Sequence, residues 1–400
     1  MKFSIVIPTQ DRPALLAMAA RHAMQLEYPD FEVIVSDTST SDDLKRQNAD
    51  AVRPYRSVSK FKLVSPSRVL SPPEHFEFAL DFATGDYLAY LTDKMMILPR
   101  ALSDANAAAR GPGVDIVNWA YAPFEMDDSR NPAGPGTLME EFRYLHGQPK
   151  SYDPIAALRF KASCAVPRNR QGGEDYALGK IVFGCFSREL IDRIRAKSGT
   201  VFGGATHDYS AMIQALSLAR SCVMLNRYEI LFISLPPDQS LGSATATEPR
   251  RALQYFRSFS EADSILSSLL VPGLYASQHN MVAHDYKKFL PLYGNMHFFN
   301  ETNWLSAIRS DLTDESNIWA DSAEKNAQFD LFAKHLVCAG QRLPVGLKRL
   351  QDRLAARFST LSAPVTSRIN GRLLGKRSTP TSRSVPVRSL DEAIRHVSAS

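Results

Sequence analysis

Cysteine is scarce in this sequence, and long hydrophobic runs are missing. The 400 residues include four cysteines, which lie far apart and have no C-x-x-C spacing. This argues against both a disulfide framework and a cysteine-based zinc site. No apolar run reaches the roughly 18 residues that a membrane-spanning helix needs, and the chain enters a strand pattern directly, without a signal peptide. We therefore expect a cytoplasmic protein whose thiols are reduced and mostly buried.

Basic residues are outnumbered by acidic ones over most of the chain. Residues 341–400 contain 12 Lys/Arg and 3 Asp/Glu, so the net charge of +5 divides into +9 for this tail and −4 for residues 1–340. Within residues 343–361, leucines and one phenylalanine recur every three or four positions among basic residues, which predicts an amphipathic basic helix. Such a helix could lie on the anionic inner membrane surface or pack on the protein.

The end of the tail differs from this helix. Residues 378–400 are rich in Ser, Thr, Pro and Arg, and we expect them to be disordered. No aromatic platform accompanies the basic charge, so we expect no nucleic-acid partner.

Short apolar runs alternate with helical stretches in the first hundred residues. Strands are predicted near residues 2–8, 31–36, 61–65 and 87–91, and helices near 14–26 and 75–83. This order predicts parallel strands with right-handed crossovers. Ligands of open α/β sheets lie beyond the carboxyl ends of the strands, so the loops at 8–12, 37–43 and 92–95 should converge on one crevice.

The pattern changes further along the chain. We expect a strand at 115–121, a long surface loop at 123–137 that could act as a lid, another strand at 181–187, and helices at 188–196 and 209–219. From about residue 250 to 338 the sequence is mostly helical. These shifts predict a catalytic domain at 1–245, a helical extension at 246–340, and the basic tail at 341–400.

Three ordered motifs carry a family resemblance. Residues 4–13 (SIVIPTQDRP), 32–43 (EVIVSDTSTSDD) and 85–99 (GDYLAYLTDKMMILP) resemble family 2 glycosyltransferases of bacteria, as do residues 199–215 and 234–242. The resemblance covers about residues 3–245. It implies the α/β fold called GT-A, a Rossmann-like, mostly parallel sheet flanked by helices, followed here by a mainly helical C-terminal extension.

The resemblance also implies an activity. The expected enzyme is an inverting hexosyltransferase that moves a sugar from a nucleoside diphosphate sugar, expected to be a UDP-sugar, to a glycan or lipid-linked acceptor in cell-surface polysaccharide synthesis. The alternative is a non-catalytic sugar-nucleotide-binding or scaffold protein that keeps this fold with a degenerate site. A nucleotidyltransferase is disfavoured because no Gly- and Arg-rich phosphate loop follows the first strand.

The family grips the nucleoside with the end of the first strand and an acidic residue after the second. These positions correspond to Pro8, Thr9, Asp11 and Arg12, and to Asp37. An aspartate can accept the base N–H, although Asp37 could instead cap a helix. Arg12 could pair with phosphate or hold its loop.

A further basic residue could shape the donor pocket. Arg68 lies where members of this subgroup often have an arginine before the helix that leads to the Gly85 turn, and a purely structural role is the alternative.

The metal motif of the family is incomplete. Members place two or three carboxylates after the fourth strand, where a divalent cation bridges the phosphates. This chain has Thr92, Asp93, Lys94 and Met95 there. Either Asp93 alone ligates Mg²⁺ or Mn²⁺, or Lys94 supplies a fixed positive charge, or the site is degenerate.

Inverting transfer needs a base for the acceptor hydroxyl. By resemblance the candidate is Asp208, at the start of a predicted helix, and helix capping is its alternative role. Glu174 and Asp175 form a second acidic pair, which ranks lower because a strand is predicted to follow it.

Overall fold

A computed structural model describes residues 1–338, except Ser129, Pro132, His146, Gly172 and residues 237–239 and 241–247, and it also describes residues 382–399. The strands in this part of the chain are β1 (Phe3–Thr9), β2 (Phe31–Asp37), β3 (Phe61–Val64), β4 (Tyr87–Tyr90), β5 (Met95–Ile97), β6 (Val114–Met126), β7 (Gly136–Glu141), β8 (Lys150–Tyr152), β9 (Gly184–Ser187), β10 (Ser221–Ser234) and β11 (Ser382–Val387).

Helices cover the sheet and form most of the later chain. They are α1 (Pro13–Met24), α2 (Asp42–Ala51), α3 (Pro72–Leu80), α4 (Ala101–Ala109), α5 (Pro154–Ala162), α6 (Gly173–Ala177), α7 (Arg188–Ser198), α8 (His207–Leu218), α9 (Pro249–Arg257), α10 (Ala262–Ser268), α11 (Gln278–Phe289), α12 (Glu301–Leu312), α13 (Ser322–Cys338) and α14 (Leu390–Ala399). None of the helices in the described ranges is long and apolar enough to cross a membrane.

One mixed sheet organises the molecule. Its strand order is β11-β7-β6-β9-β4-β1-β2-β3, with β10 beside β6 and with β5 and β8 beside β10. Strands β1 to β4 pair in parallel, and every residue of β1 and β2 is buried, as expected for a parallel sheet covered on both faces. The predicted α/β class is confirmed.

The sheet is less parallel than predicted. Strand β9 runs antiparallel to both β4 and β6, and β7 runs antiparallel to β6. The alternation of strand and helix that predicts parallel pairing holds only as far as β4, and later strands join through other connections. The predicted strand at 181–187 begins as a 3₁₀ turn (Ile181–Phe183), and only Gly184–Ser187 forms β9.

The predicted loop at 123–137 is shorter than expected. Strand β6 continues through Phe124, which is fully buried, to Met126, and β7 begins at Gly136. A Cβ on Gly136 would lie 2.4 Å from the Glu125 carbonyl oxygen, so glycine here permits close strand pairing and does not mark a loop.

The predicted disorder at the end of the chain is wrong for residues 382–399. Strand β11 pairs antiparallel with β7, and α14 buries Leu390, Ala393, Ile394 and Val397. These apolar residues follow the helical spacing of three and four, a signal that the polar composition of the segment obscures. The predicted amphipathic helix at 343–361 lies outside the described residues.

The predicted helical extension is present as α9 to α13. Side chains of α11 and α12, such as Tyr286 and Ile308, belong to the same apolar core as the sheet. The indole Nε1 of Trp304 donates to the Ala162 carbonyl oxygen at 2.8 Å and ties α12 to α5. The extension therefore packs directly on the sheet-containing part of the chain.

Candidate functional site

A cavity of about 500 Å³ lies beyond the carboxyl ends of β1 and β4. The start of α8 and the first turns of α11 form its opposite side. Of the ten residues predicted from sequence, seven line it, namely Pro8, Thr9, Arg12, Thr92, Asp93, Lys94 and Asp208. The α/β topology therefore produces the crevice that the strand-end loops predict.

Asp93 connects two other residues on the strand-end side of the cavity. Its carboxylate is 2% exposed and accepts two hydrogen bonds. Arg12 Nη1 donates to Oδ1 at 2.9 Å, and Thr9 Oγ1 donates to Oδ2 at 2.9 Å. Both carboxylate oxygens are thus engaged by side chains from the first strand and its following loop.

Lys94 follows Asp93 and is half-buried. Its Nζ donates to Ser240 Oγ at 3.3 Å and lies 4.8 Å from the centroid of the Phe232 ring. Burial, and then the nearby Arg12 guanidinium, lower the pKa of Lys94. A phosphate ion beside it would act in the opposite direction and favour the charged form.

Asp208 lies in the first turn of α8 on the other side of the cavity. The helix begins at His207 with Thr206 as its N-cap, so Asp208 does not occupy the capping position. Its Oδ2 lies 3.3 Å from Nζ of Lys180. Burial raises the pKa of the Asp208 carboxyl, but Lys180, His207 and Arg168 together outweigh burial and hold that pKa below its ordinary value.

Lys180 has no exposed surface, although it carries a charge. Its Nζ lies 3.6 Å from the ring centroid of Tyr176 and 3.9 Å from that of Tyr209. Burial alone would lower the pKa of Lys180, but the two tyrosines and Asp208 raise it. The ammonium is therefore held in place by two aromatic faces and one carboxylate.

A buried carboxylate fixes the loop before α8. Asp285 of α11 accepts hydrogen bonds from the backbone N–H groups of Ala205 and Thr206, both at 2.7 Å, and from the Thr206 hydroxyl. Burial raises the pKa of Asp285 to about 7 in spite of these donors. Gly204 has φ +80°, and a Cβ there would lie 2.2 Å from Asp285 Oδ1.

Three predicted site residues do not line the cavity. Asp11 accepts from the Thr40 backbone N–H at 2.8 Å and from its hydroxyl at 2.9 Å. Asp37 is buried and accepts from Ser39 N–H and from the Asn48 amide, while Ser41 caps α2. The Asp11 contacts join the loops after β1 and β2, and the Asp37 contacts hold the second of these loops against α2.

Arg68 is exposed and forms an ion pair with Glu74 at 2.7 Å, away from the cavity. The second acidic pair also lies elsewhere. Glu174 and Asp175 belong to the short helix α6, not to a loop before a strand, and neither lines the cavity.

Sequence reasoning missed the groups that surround Asp208. Arg168, Tyr176 and Tyr209 line the cavity, and Lys180 lies behind them. Nothing in the local pattern distinguishes these residues, because they come from separate segments that only the fold brings together. A lysine without exposed surface is visible only in three dimensions.

The side chains that the structure describes at this site do not fit a divalent cation. A hard cation needs several oxygen ligands, and the described residues contain no cluster of three or more His, Cys, Asp or Glu able to hold a metal ion. The single carboxylate at the expected position, Asp93, is already held by a guanidinium and a hydroxyl.

Comparisons with known proteins identify the class. Residues 4–163 match the family model described as Glycosyl transferase family 2. This part of the chain matches that family, as the three motifs predict, and it contains Pro8, Thr9, Arg12, Asp93 and Lys94. Enzymes of this fold commonly use Mn²⁺ or Mg²⁺.

A curated relative is the GalNAc(5)-diNAcBac-PP-undecaprenol beta-1,3-glucosyltransferase of Campylobacter jejuni. It is 29% identical over 102 residues, which are 26% of this chain and 32% of the relative. The match thus spans about a third of the relative's length.

Solved structures with a similar arrangement include S. aureus TarS 1-349 in complex with UDP-GlcNAc, at 14% identity and TM-score 0.46, covering 86% of this chain and 93% of that one. Another is the mannosyltransferase PcManGT from Pyrobaculum calidifontis in complex with GDP-Man and Mn²⁺, at 16% identity and TM-score 0.40, covering 78% and 88%.

Proposed function

We propose that this protein is an inverting glycosyltransferase that moves a hexosyl group from a nucleoside diphosphate sugar, preferably a UDP-sugar, to a hydroxyl group of an acceptor. The observation that carries the proposal is the single cavity in which a half-buried carboxylate, Asp208, faces the basic strand-end loops of a family 2 domain. An acid–base group and an anion-binding surface are the two parts that this reaction requires.

The donor nucleotide occupies the strand-end side of the cavity in this proposal. Pro8 and Thr9 end β1 and contact the nucleoside, while Arg12 and Lys94 face its diphosphate. The loops after β1 and β2 support this side through the hydrogen bonds of Asp11 and Asp37. Arg68 lies outside the cavity, so this proposal assigns it no contact with the donor.

Asp208 is the general base. Its carboxylate accepts the proton of the acceptor hydroxyl as that oxygen forms a bond to the anomeric carbon. The bond between the anomeric carbon and the diphosphate oxygen breaks, and its electron pair remains on the diphosphate. One displacement from the opposite face inverts the configuration. Because the pKa of Asp208 is lowered, the carboxylate is ionised and ready to accept a proton at neutral pH.

The acceptor enters from the side of α9 and α11. There Tyr255, Met281 and Val282 give the cavity an apolar surface, which suits the apolar face of a sugar ring. We propose a glycan or lipid-linked acceptor in cell-surface polysaccharide synthesis. The name of the Campylobacter relative, which describes an undecaprenol-linked substrate, supports this choice. Contact of residues 343–361 with the inner membrane surface would bring a cytoplasmic enzyme to such an acceptor.

Replacing Asp208 by asparagine tests the function. We expect Asp208→Asn to reduce turnover by a factor of about 10²–10⁴, the usual contribution of a general base, while UDP binding measured by calorimetry stays within about threefold of the unchanged protein. Asp192→Asn, an exposed position on α7, is the matched control. The assay measures nucleoside diphosphate release from UDP-, GDP- and dTDP-sugars with an acceptor panel.

The alternative is a scaffold that binds sugar nucleotides without transferring them. It predicts binding of the donor, no turnover with any member of the panel, and no effect of Asp208→Asn. That combination of results would overturn the proposed activity while retaining the binding site.

A further inference from the structure

We propose that Arg12 and Lys94 take the place of the divalent cation, so that this enzyme binds its nucleotide donor and stabilises the departing diphosphate without a metal ion. This inference rests on the proposed function and concerns how the same cavity handles charge. It selects one of the interpretations that the incomplete metal motif leaves open.

The first support is the state of Asp93. A metal-binding aspartate must direct an oxygen lone pair at the ion and keep that position clear. Here Oδ1 accepts from Arg12 and Oδ2 from Thr9, each at 2.9 Å, and the carboxylate is 2% exposed. Asp93 therefore serves to orient a cationic side chain. An aspartate that fixes an arginine beside a phosphate site is an arrangement for anion binding.

The second support is the placement of Lys94. It occupies the position after Asp93, where the metal motif would continue, and it lines the cavity. Its ammonium has three donors, and its one described hydrogen bond, to Ser240 Oγ, is long at 3.3 Å. The Phe232 ring below it limits its movement. The remaining donors can bind phosphate oxygens as a point charge would.

The third support is the charge balance of the site. Arg12, Lys94 and Arg168 line the cavity with Asp93 and Asp208, and Lys180 contacts Asp208 from behind. Among the described residues that line the cavity, three cationic side chains stand against two carboxylates, which leaves an excess of positive charge. A diphosphate leaving group thus meets cationic groups that are already held in place, as preorganised transition-state stabilisation requires.

Nucleotide binding without metal tests the proposal directly. The affinities of UDP, GDP and dTDP are measured by calorimetry on the full chain, once in EDTA and once in MnCl₂, and the tightest of the three is taken forward. We expect the dissociation constant to differ by less than threefold between the two buffers. We also expect Mn²⁺ titrated alone to show no saturable binding below about millimolar concentration, the weak end of protein sites for hard cations.

Substitutions of Lys94 distinguish the effect of its charge from an effect on folding. We expect Lys94→Met to weaken nucleotide binding at least tenfold in both buffers, and Lys94→Arg to restore most of it. Lys60→Met is the matched control, because Lys60 also lies over a phenylalanine ring, at 3.8 Å from the Phe31 centroid, but outside the cavity. That variant should bind like the unchanged protein.

The outcomes divide clearly. Binding that appears only with Mn²⁺, or an unchanged dissociation constant in Lys94→Met, overturns the metal-free site and leaves the proposed glycosyl transfer intact. No binding of UDP, GDP or dTDP in either buffer overturns both this inference and the proposed function.

Discussion

Lys180 places a buried charge next to the residue proposed as the base. Its ammonium lies between the rings of Tyr176 and Tyr209 and 3.3 Å from Asp208 Oδ2. Removing Lys180 takes away the largest of the three cationic influences that lower the Asp208 pKa, and burial, which raises that pKa, then acts against His207 and Arg168 only. Lys180 therefore acts as a positioning residue that also keeps Asp208 ionised.

We predict that Lys180→Met shifts the acid limb of the pH profile of kcat/KM to higher pH. Asp208 must be deprotonated to accept a proton, so a raised pKa means that activity is lost at a higher pH as the solution is acidified. A shift of about one pH unit or more is expected for loss of a close opposite charge. The measurement is the rate of nucleoside diphosphate release between about pH 3 and 8, a range that includes the ordinary aspartate pKa of about 3.9 and the values on either side of it.

Lys180→Arg is the control, because it keeps the positive charge and should keep the acid limb in place. If the acid limb of the Lys180→Met pH profile stays in place and activity falls equally at every pH, the lysine has only a packing role.

The residues that sequence reasoning located are those in continuous motifs. Thr9, Arg12, Asp93 and Lys94 stand close to strand ends, and topology alone brings strand ends together. Asp11 and Asp37 share this location, but their side chains accept hydrogen bonds from neighbouring loop residues, an arrangement that depends on the three-dimensional fold. Lys180 and Arg168 have no motif, so their contribution could not be predicted.

At the scale of elements, the loop before α8 leads into the helix turn that carries the proposed base, and this loop is fixed from α11 by Asp285. Gly204 has a positive φ and lies against Asp285, so both its backbone conformation and its missing side chain are needed. Gly199 has nearly the same φ, +81°, with nothing within 4 Å of its Cβ position. Substituting alanine at Gly199 therefore measures the cost of a positive φ alone, whereas the same change at Gly204 adds the cost of a steric clash with Asp285.

We predict that Gly199→Ala lowers the free energy of unfolding by about 1–2 kcal/mol, the usual cost of an L-residue in this conformation. Gly204→Ala should cost at least about 2 kcal/mol more, because Asp285 must move and its buried hydrogen bonds are disturbed. Urea unfolding of both variants measures the difference. Equal losses would mean that the contact between Gly204 and Asp285 contributes nothing.

Element prediction succeeded where the pattern was strong. The first four strands lie within a few residues of their predicted positions, because apolar β-branched runs between polar turns have few alternatives. The antiparallel pairing of β9 with β4 and β6 was not foreseen, since strand partners far apart in sequence leave no local signal. The contact between α11 and the loop before α8 was missed for the same reason.

At the scale of the whole molecule, the basic segment at 343–361 connects α13 to β11 along the chain. Truncation at residue 341 would also remove β11 and uncover the edge of β7, so it would confuse membrane binding with exposure of a sheet edge. Point substitutions within 343–361 avoid that difficulty.

We predict that replacing Lys348, Arg349, Arg353 and Arg357 by glutamate abolishes sedimentation with vesicles that contain anionic lipid. Each basic residue near such a surface contributes about 1 kcal/mol, so reversing four should be decisive. Vesicles of neutral lipid provide the background. If the fourfold variant and the unchanged protein sediment equally with anionic vesicles, this segment is excluded as the membrane contact.

Changes in sequence pattern and composition predict domain boundaries at residues 245 and 340. In the structure, α11 and α12 share the apolar core of the sheet, and the end of the chain returns to pair with β7. Composition could not reveal this return, because the segment from 382 onward resembles a polar tail and its partner strand lies far upstream.

That return has a consequence for biosynthesis. Glu140, fully buried, has Arg383 as an ion-pair partner 243 positions later in the chain. At roughly 5–20 residues per second, a ribosome needs on the order of 10–50 s to make the intervening chain. During that interval one edge of β7 is unpaired, and the Glu140 carboxylate lacks its ion pair with Arg383. The sheet is therefore completed only after residues 382–387 have been made, and a chaperone acting on the nascent protein before then would find its exposed edge at β7.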